Sequence, residues 1–265
     1  MSDNMTNSAN AANAAIADPV PTIDSSPITT LELIRGVFNK ATSDWEKDAV
    51  VRELTGEDEE ALAAIDAKED LSYGEYLVNL LQRAVVSIGS QTIENNKNLI
   101  DELLIGDRDL LFLGVIRATY GKAREVQLTC GNCNESNDVV IDLENDFKVE
   151  KADEDITKPI SVQLKDGKTL SFSLPTTGDS RYSLKKAKTT AEQNTYIIAR
   201  CLLGDMDKDS REVWAKKLGL ADRKKIVKAI TAVQPGPRME EVNTQCAHCE
   251  QELVVVIDWV SLLFG

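Results

Sequence analysis

The sequence predicts an α+β fold: a mostly helical N-terminal half, then a split zinc ribbon with a small β layer and a helical insert. Three observations carry this expectation. Two stretches are near-copies: Cys130-Gly131-Asn132-Cys133 leads to Val139-Val140-Ile141-Asp142, and Cys246-Ala247-His248-Cys249 leads to Val255-Val256-Ile257-Asp258. Each has a β-like lead-in and a strongly β-forming run behind it. Between residues 28 and 123, apolar residues recur at helical spacing. Between the copies, Ile160 to Leu174 alternates apolar and polar residues about Asp166-Gly167, a hairpin signal.

Residues 1–27 are rich in Asn, Ala, Ser, Thr and Pro and poor in large apolar side chains. Such a stretch buries too little surface to offset its ordering entropy, so a disordered tail is expected. It has neither a basic start nor an apolar run, and does not read as a signal peptide.

The region 28–123 is expected to be helical. Thr29 or Thr30 can cap a helix to Phe38, with Leu31, Ile34, Val37 and Phe38 on one face. A second amphipathic piece lies near 46–54. The acidic run Glu57-Asp58-Glu59-Glu60 suits the first turn of a helix through Ile65. Residues 72–86 form the next, with Tyr76, Leu77, Leu80, Leu81 and Val85 together. Asp107 is placed as N-cap of a helix apolar all round from Leu110 to Ile116, ended by Gly121. On that helix Arg117 is expected to snorkel or pair with an internal carboxylate.

Residues 124–265 make the split ribbon, with knuckles at 126–143 and 242–259 and an insert at 144–241. Phe147-Lys148-Val149, Ile160–Leu164 and Leu170–Leu174 read as strands. Thr176 to Asp179 opens a helix through Lys188, and Thr190 with Gln193 reads as a capping box for the next. Cys201 sits among Ile197, Ile198 and Leu202 and reads as a core residue, not a nucleophile. Helices near 210–218 and 221–233 end the insert before Pro235-Gly236-Pro237.

Four of the five cysteines fall into the two pairs. Two knuckles facing each other supply four thiolates, the closed tetrahedral set of a structural Zn²⁺. A dithiol redox pair is the main rival, but such a motif opens a helix, whereas both pairs here lead into strands. Disulfides are a third reading, disfavoured without a secretory signal. Cys130, Cys133, Cys246 and Cys249 are therefore the expected ligands of one Zn²⁺. The 112 residues between the pairs mark a domain inserted into a zinc ribbon.

The net charge of -14 opposes general binding to phosphate backbones or anionic membranes. No apolar run approaches the roughly 20 residues needed to span a bilayer. A nucleic-acid-binding ribbon remains the alternative, although Glu135, Asp138, Asp142, Glu250 and Glu252 flank the knuckles and repel phosphate. A zinc hydrolase needs an open coordination position, which four thiolates do not leave. No Gly-rich phosphate loop, no Gly-x-Ser-x-Gly and no His/carboxylate set occurs; His248 is the one histidine. Candidate partner contacts are Arg181, Lys185 and Lys188 on one helical face, which otherwise reads as a solvated face, and Trp259 and Phe264 in the apolar C-terminal stretch, which otherwise docks on its own core. Lys224 and Lys228 make a second basic face.

With these residues laid out, the chain resembles the baseplate protein family of T-even-type bacteriophages, associated with hub assembly in contractile tails. The resemblance is carried by Gly106-Asp107-Arg108 leading into Leu111-Phe112, then Arg117 and Tyr120-Gly121. Cys130-x-x-Cys133 with its strand follows, then Leu174-Pro175-x-x-Gly178-Asp179, the second cysteine pair and Asp258-Trp259-Val260-Ser261-Leu262-Leu263. It covers roughly residues 45 to 265 and leaves the first 30 or so uncovered. It implies a non-enzymatic tail or baseplate assembly protein, made in the infected bacterium's cytoplasm and working through other tail and baseplate proteins. It brings no catalytic residues and no small-molecule substrate. Family members vary in whether the cysteines are present, so the zinc assignment rests on the spacing here.

Overall fold

The computed structural model describes residues 28–69, 72–150, 155–239, 242–255 and 262–263. The expected tail at 1–27 lies outside them. The described chain mixes helices with small antiparallel sheets.

The first departure from expectation is at the start. Residues 28–38 and 46–54 are not helices but the strands β1 (Ile28–Asn39) and β2 (Asp44–Arg52), paired antiparallel. Their register breaks between Glu32 and Val37. Within the break Leu33 faces the core; beyond it Val37 does, and Phe38 stays 41% exposed. A bulge thus spaces inward residues four apart and imitates a helical period. Gly36, at φ +71, is the residue that permits it: a Cβ there would lie 1.9 Å from the Glu46 carbonyl oxygen.

Helix α1 (Gly56–Glu69) carries the predicted acidic first turn, and α2 (Tyr73–Ala84) the predicted apolar face. The chain then extends at once into β3 (Val85–Ile88), which completes the sheet on the far side of β2. Asp58 is buried and not merely a solvated first-turn carboxylate, for Arg52 reaches it at 2.6 Å and Arg83 at 2.7 Å. Burial opposes its ionisation, but the two guanidiniums and the Thr55 N–H outweigh burial and hold it well below the usual carboxylate range.

A short turn of helix, α3 (Leu99–Glu102), precedes the central helix α4 (Ile105–Tyr120). Its Leu111, Phe112, Val115 and Ile116 are buried among the sheet residues and α2, as the all-round apolar run requires. Gly121 ends it at φ 87, its N–H reaching the Arg117 carbonyl. Arg117 pairs with Glu144 at 2.8 Å, an exposed carboxylate and not the internal one expected. Asp107 is not the N-cap, which is Leu104. Its carboxylate instead accepts the backbone N–H groups of Ile34, at 2.6 Å, Arg35 and Gly36, at 2.9 Å. It therefore satisfies the donors that the β1 bulge releases.

Strands β4 (Ala123–Thr129) and β5 (Ser136–Asp142) form the first cysteine hairpin. β6 (Phe147–Glu150) then pairs with a strand 86 residues on, described below. β7 (Ile160–Gln163) and β8 (Thr169–Phe172) are the predicted hairpin, with Gly167 at φ 85 in its turn. Helix α5 (Thr177–Lys186) has the capping box of Thr176 and Asp179; it ends before Lys188, which therefore does not share its face. Helix α6 (Thr190–Cys201) is capped by Thr189, one residue before the expected Thr190. With α7 (Lys208–Lys217) and α8 (Leu220–Ala232), it packs against β7 and β8 in a second core of Phe172, Ile198, Cys201 and Ile226. Burial raises the Cys201 thiol far above its ordinary pKa, consistent with an inert core residue.

The insert returns through β9 (Gly236–Met239), the strand that pairs with β6. There Gly236 meets Gly106 of α4 so closely that a Cβ on either would overlap the backbone of the other element. The second cysteine hairpin, β10 (Val242–Gln245) and β11 (Glu252–Val255), follows.

Candidate metal centre

Each cysteine turn is built the same way. In the first, the Cys130 N–H donates to the Glu135 carbonyl at 2.9 Å, and the Asn134 N–H donates to the Cys130 carbonyl at 2.9 Å. In the second, Cys246 donates to Gln251 at 2.8 Å and Glu250 donates to Cys246 at 2.9 Å. Asn134 at φ 62 and Glu250 at φ 59 hold the equivalent left-handed position after the second cysteine. Asparagine tolerates that region; a glutamate there is held by the turn.

The two turns face each other. Cys130 Sγ lies 3.7 Å from Cys249 Sγ, and Cys133 Sγ lies 3.6 Å from Cys246 Sγ. All four sulfurs fall within 4.8 Å of one another. Sulfurs bound at about 2.3 Å in a tetrahedron stand about 3.8 Å apart, so the quartet fits a small tetrahedral cation. Cys130 and Cys246 are buried, and Cys133 and Cys249 half-buried. Asn132 Nδ2 and the His248 N–H approach Cys249 and Cys246 at 3.5 Å, while the His248 side chain is exposed.

The acid–base chemistry of the quartet shows why a cation suits it. Burial raises the Cys246 thiol, but the N–H groups of His248 and Cys249 outweigh it and bring it down to about 6. At Cys133 the Glu135 N–H favours the thiolate, yet burial and three thiol neighbours push the group up to about 12. Crowded thiols cannot all ionise by themselves; a bound divalent cation would let them.

Asn137, which the sequence did not single out, joins the turns. Buried beside the site, it accepts the Ala247 N–H at 2.8 Å and donates to the Glu135 carbonyl at 3.1 Å. Nothing local marks it, because its partner is 110 residues away.

The proposed partner contacts fare differently. Arg181 donates to both carboxylate oxygens of Asp101, at 2.8 and 2.9 Å, and so ties α5 to α3. Lys185 is exposed, with Glu75 at 3.7 Å, and Lys188 is exposed beyond the helix end. Trp259 and Phe264 lie outside the described residues. Their neighbours Leu262 and Leu263 are buried in the main core, and Arg124 Nε donates to the Leu262 carbonyl at 3.0 Å. Among the described residues no helix is long and apolar enough to cross a membrane.

No curated protein and no solved structure matches the chain. A family model described as T4 bacteriophage base plate protein matches residues 37–265, from the bulged first strand through both cysteine turns to the end. On that match, which spans most of its length, the chain belongs to the T4 bacteriophage base plate protein family.

Proposed function

We propose that this chain is a non-enzymatic assembly or structural component of a contractile-tail baseplate, acting at the hub through protein–protein interfaces. In this reading the described fold serves as a scaffold, and one structural Zn²⁺ fastens its two cysteine turns into a split zinc ribbon. The observation that carries the metal assignment is the quartet of sulfurs from turns 116 residues apart in sequence. Four thiolates would fill the coordination sphere and leave no position for a reacting water. Residues 28–123 then form the body, and 124–265 the ribbon with its insert. The protein is made in the host cytoplasm and is carried into the tail. The alternative of a nucleic-acid-binding ribbon is disfavoured by the exposed Glu135, Asp138, Glu250 and Glu252 around the turns.

Two measurements test this. Elemental analysis of metal-replete protein should find one zinc per chain, and less than about half an equivalent would remove the metal assignment. Infection with a phage lacking the gene should accumulate tail intermediates without a completed baseplate; normal baseplates would end the assembly reading.

A further inference from the structure

Charge is unevenly distributed along this acidic chain. Residues 160–239 hold sixteen Lys and Arg against eight Asp and Glu, whereas the remainder holds fourteen against thirty-six. The second core and helices α5–α8 thus form a basic lobe on an acidic body. Most of its arginines have internal work: Arg200 binds Asp179, Arg211 the Leu202 and Gly204 carbonyls, and Arg223 the Ala191 and Ala215 carbonyls. Lys224 and Lys228 are exposed, and among the described residues no carboxylate reaches either within ion-pair distance.

These two lysines border a groove. On α8, Leu220, Lys224, Val227, Lys228 and Thr231 fall on one face, and Ala191 and Asn194 of α6 form the opposite wall of a depression of about 560 Å³. Val227, Thr231 and Asn194 are shared with a second depression of about 230 Å³, which reaches Leu184 of α5. The floor is apolar and its ends are unusually bare: Leu220 is 76% exposed and Leu184 is 42%. An apolar stripe about three helical turns long beside exposed ammonium groups has the shape that receives an amphipathic helix.

We propose that the α6–α8 groove docks an acidic amphipathic helix of another tail protein. Apolar side chains of that helix lie along Leu220, Val227 and Leu184, and its flanking carboxylates meet Lys224 and Lys228. Only the origin of the partner rests on the baseplate reading; the chemistry of the groove stands without it. Nucleic acid fits less well, because no aromatic ring lines either depression to stack a base.

The test uses the full zinc-loaded chain and a fluorescent synthetic helix about five turns long, with leucines on one face and glutamates beside them. Binding followed by anisotropy should weaken about tenfold or more in the Lys224→Glu, Lys228→Glu double variant, and more steeply with salt in the parent. Leu220→Ser should also weaken it about tenfold. Both changes lie on exposed positions, so unchanged circular dichroism, melting and zinc content should accompany the loss. The peptide with glutamines for glutamates should bind like the double variant. Absence of binding by the parent, or binding indifferent to both variants, overturns the proposal. So does displacement of the peptide by single-stranded DNA of equal charge. Salt-sensitive self-association of the parent, removed by the same variants, would assign the groove to a second copy and equally overturn it. Failure of the baseplate reading would show separately, as absence of the chain from assembly intermediates and tails.

Discussion

The two cysteine turns are alike in sequence, hydrogen bonding and backbone twist, but they stand on different foundations. The first rises from seven-residue strands, and β5 sends Val139 and Ile141 into the main core, followed by Leu143 and Phe147. The second has strands of four residues, and among its described side chains only Leu253 and the cysteines join a core, the small one around the sulfurs. Identical local geometry therefore does not imply equal stability. The first turn belongs to the body; the second is held to it by the thiols, Asn137 and a small apolar contact.

The sharpest way to break this comparison is to remove either dithiol. Cys130→Ser with Cys133→Ser, and Cys246→Ser with Cys249→Ser, should both abolish zinc uptake. Structural zinc sites contribute on the order of 10 kcal/mol at neutral pH where the ligands are otherwise unfolded. In both variants, amides of β10 and β11 should lose hydrogen-exchange protection and become sensitive to protease, while β5 and α4 keep theirs. Equal loss of protection in β5 and β11 would mean that the two turns are equally dependent on the metal.

A smaller effect should come from the body side. Asp107→Ala leaves three backbone donors of the β1 bulge without their acceptor, at a cost of about 3–5 kcal/mol. Thermal unfolding should occur at lower temperature, yet below that transition the folded protein should still bind one zinc. If Asp107→Ala instead released the metal from folded protein, the body and the centre would be a single cooperative unit.

The mildest changes act between the turns. Asn137→Ala should weaken zinc binding by about tenfold, as losses of outer hydrogen bonds around a metal do, and should speed exchange of the Ala247 amide. His248→Ala should change neither, because its exposed ring is not needed in a four-sulfur site. Zinc loss with His248→Ala would require revising the ligand set.

How much of this was legible follows from how local each signal is. The sulfur quartet, the Asp166-Gly167 hairpin and α4 announce themselves within a few residues, by spacing, turn chemistry and apolar density. The β1–β2 hairpin did not, because the bulge at Gly36 overlays a helix-like spacing on an alternating strand. A glycine inside the supposed helix was the available warning. Strand β9 was hidden by Pro235-Gly236-Pro237, which reads as a break; Pro237 sits inside a short strand whose partner is β6. Asp107 looked like a helix cap because its three donors lie more than seventy residues earlier. Those contacts exist only after the chain has folded.

The pairing of β6 with β9 changes what a bound metal would have to do. Taken along the chain, joining the turns closes a loop of 112 residues. With residues 147–150 already beside 236–239, the chain left to close is two short arms, 134–146 and 240–245, or 19 residues in all. Loop entropy grows with the logarithm of length, so this splint lowers the closure cost by about 1.6 kcal/mol. It also keeps the second dithiol at high effective concentration near the first. A chelator that strips the zinc should therefore open a latch without scattering its halves, and returning metal should find them still in reach, reclosing the centre without refolding the insert.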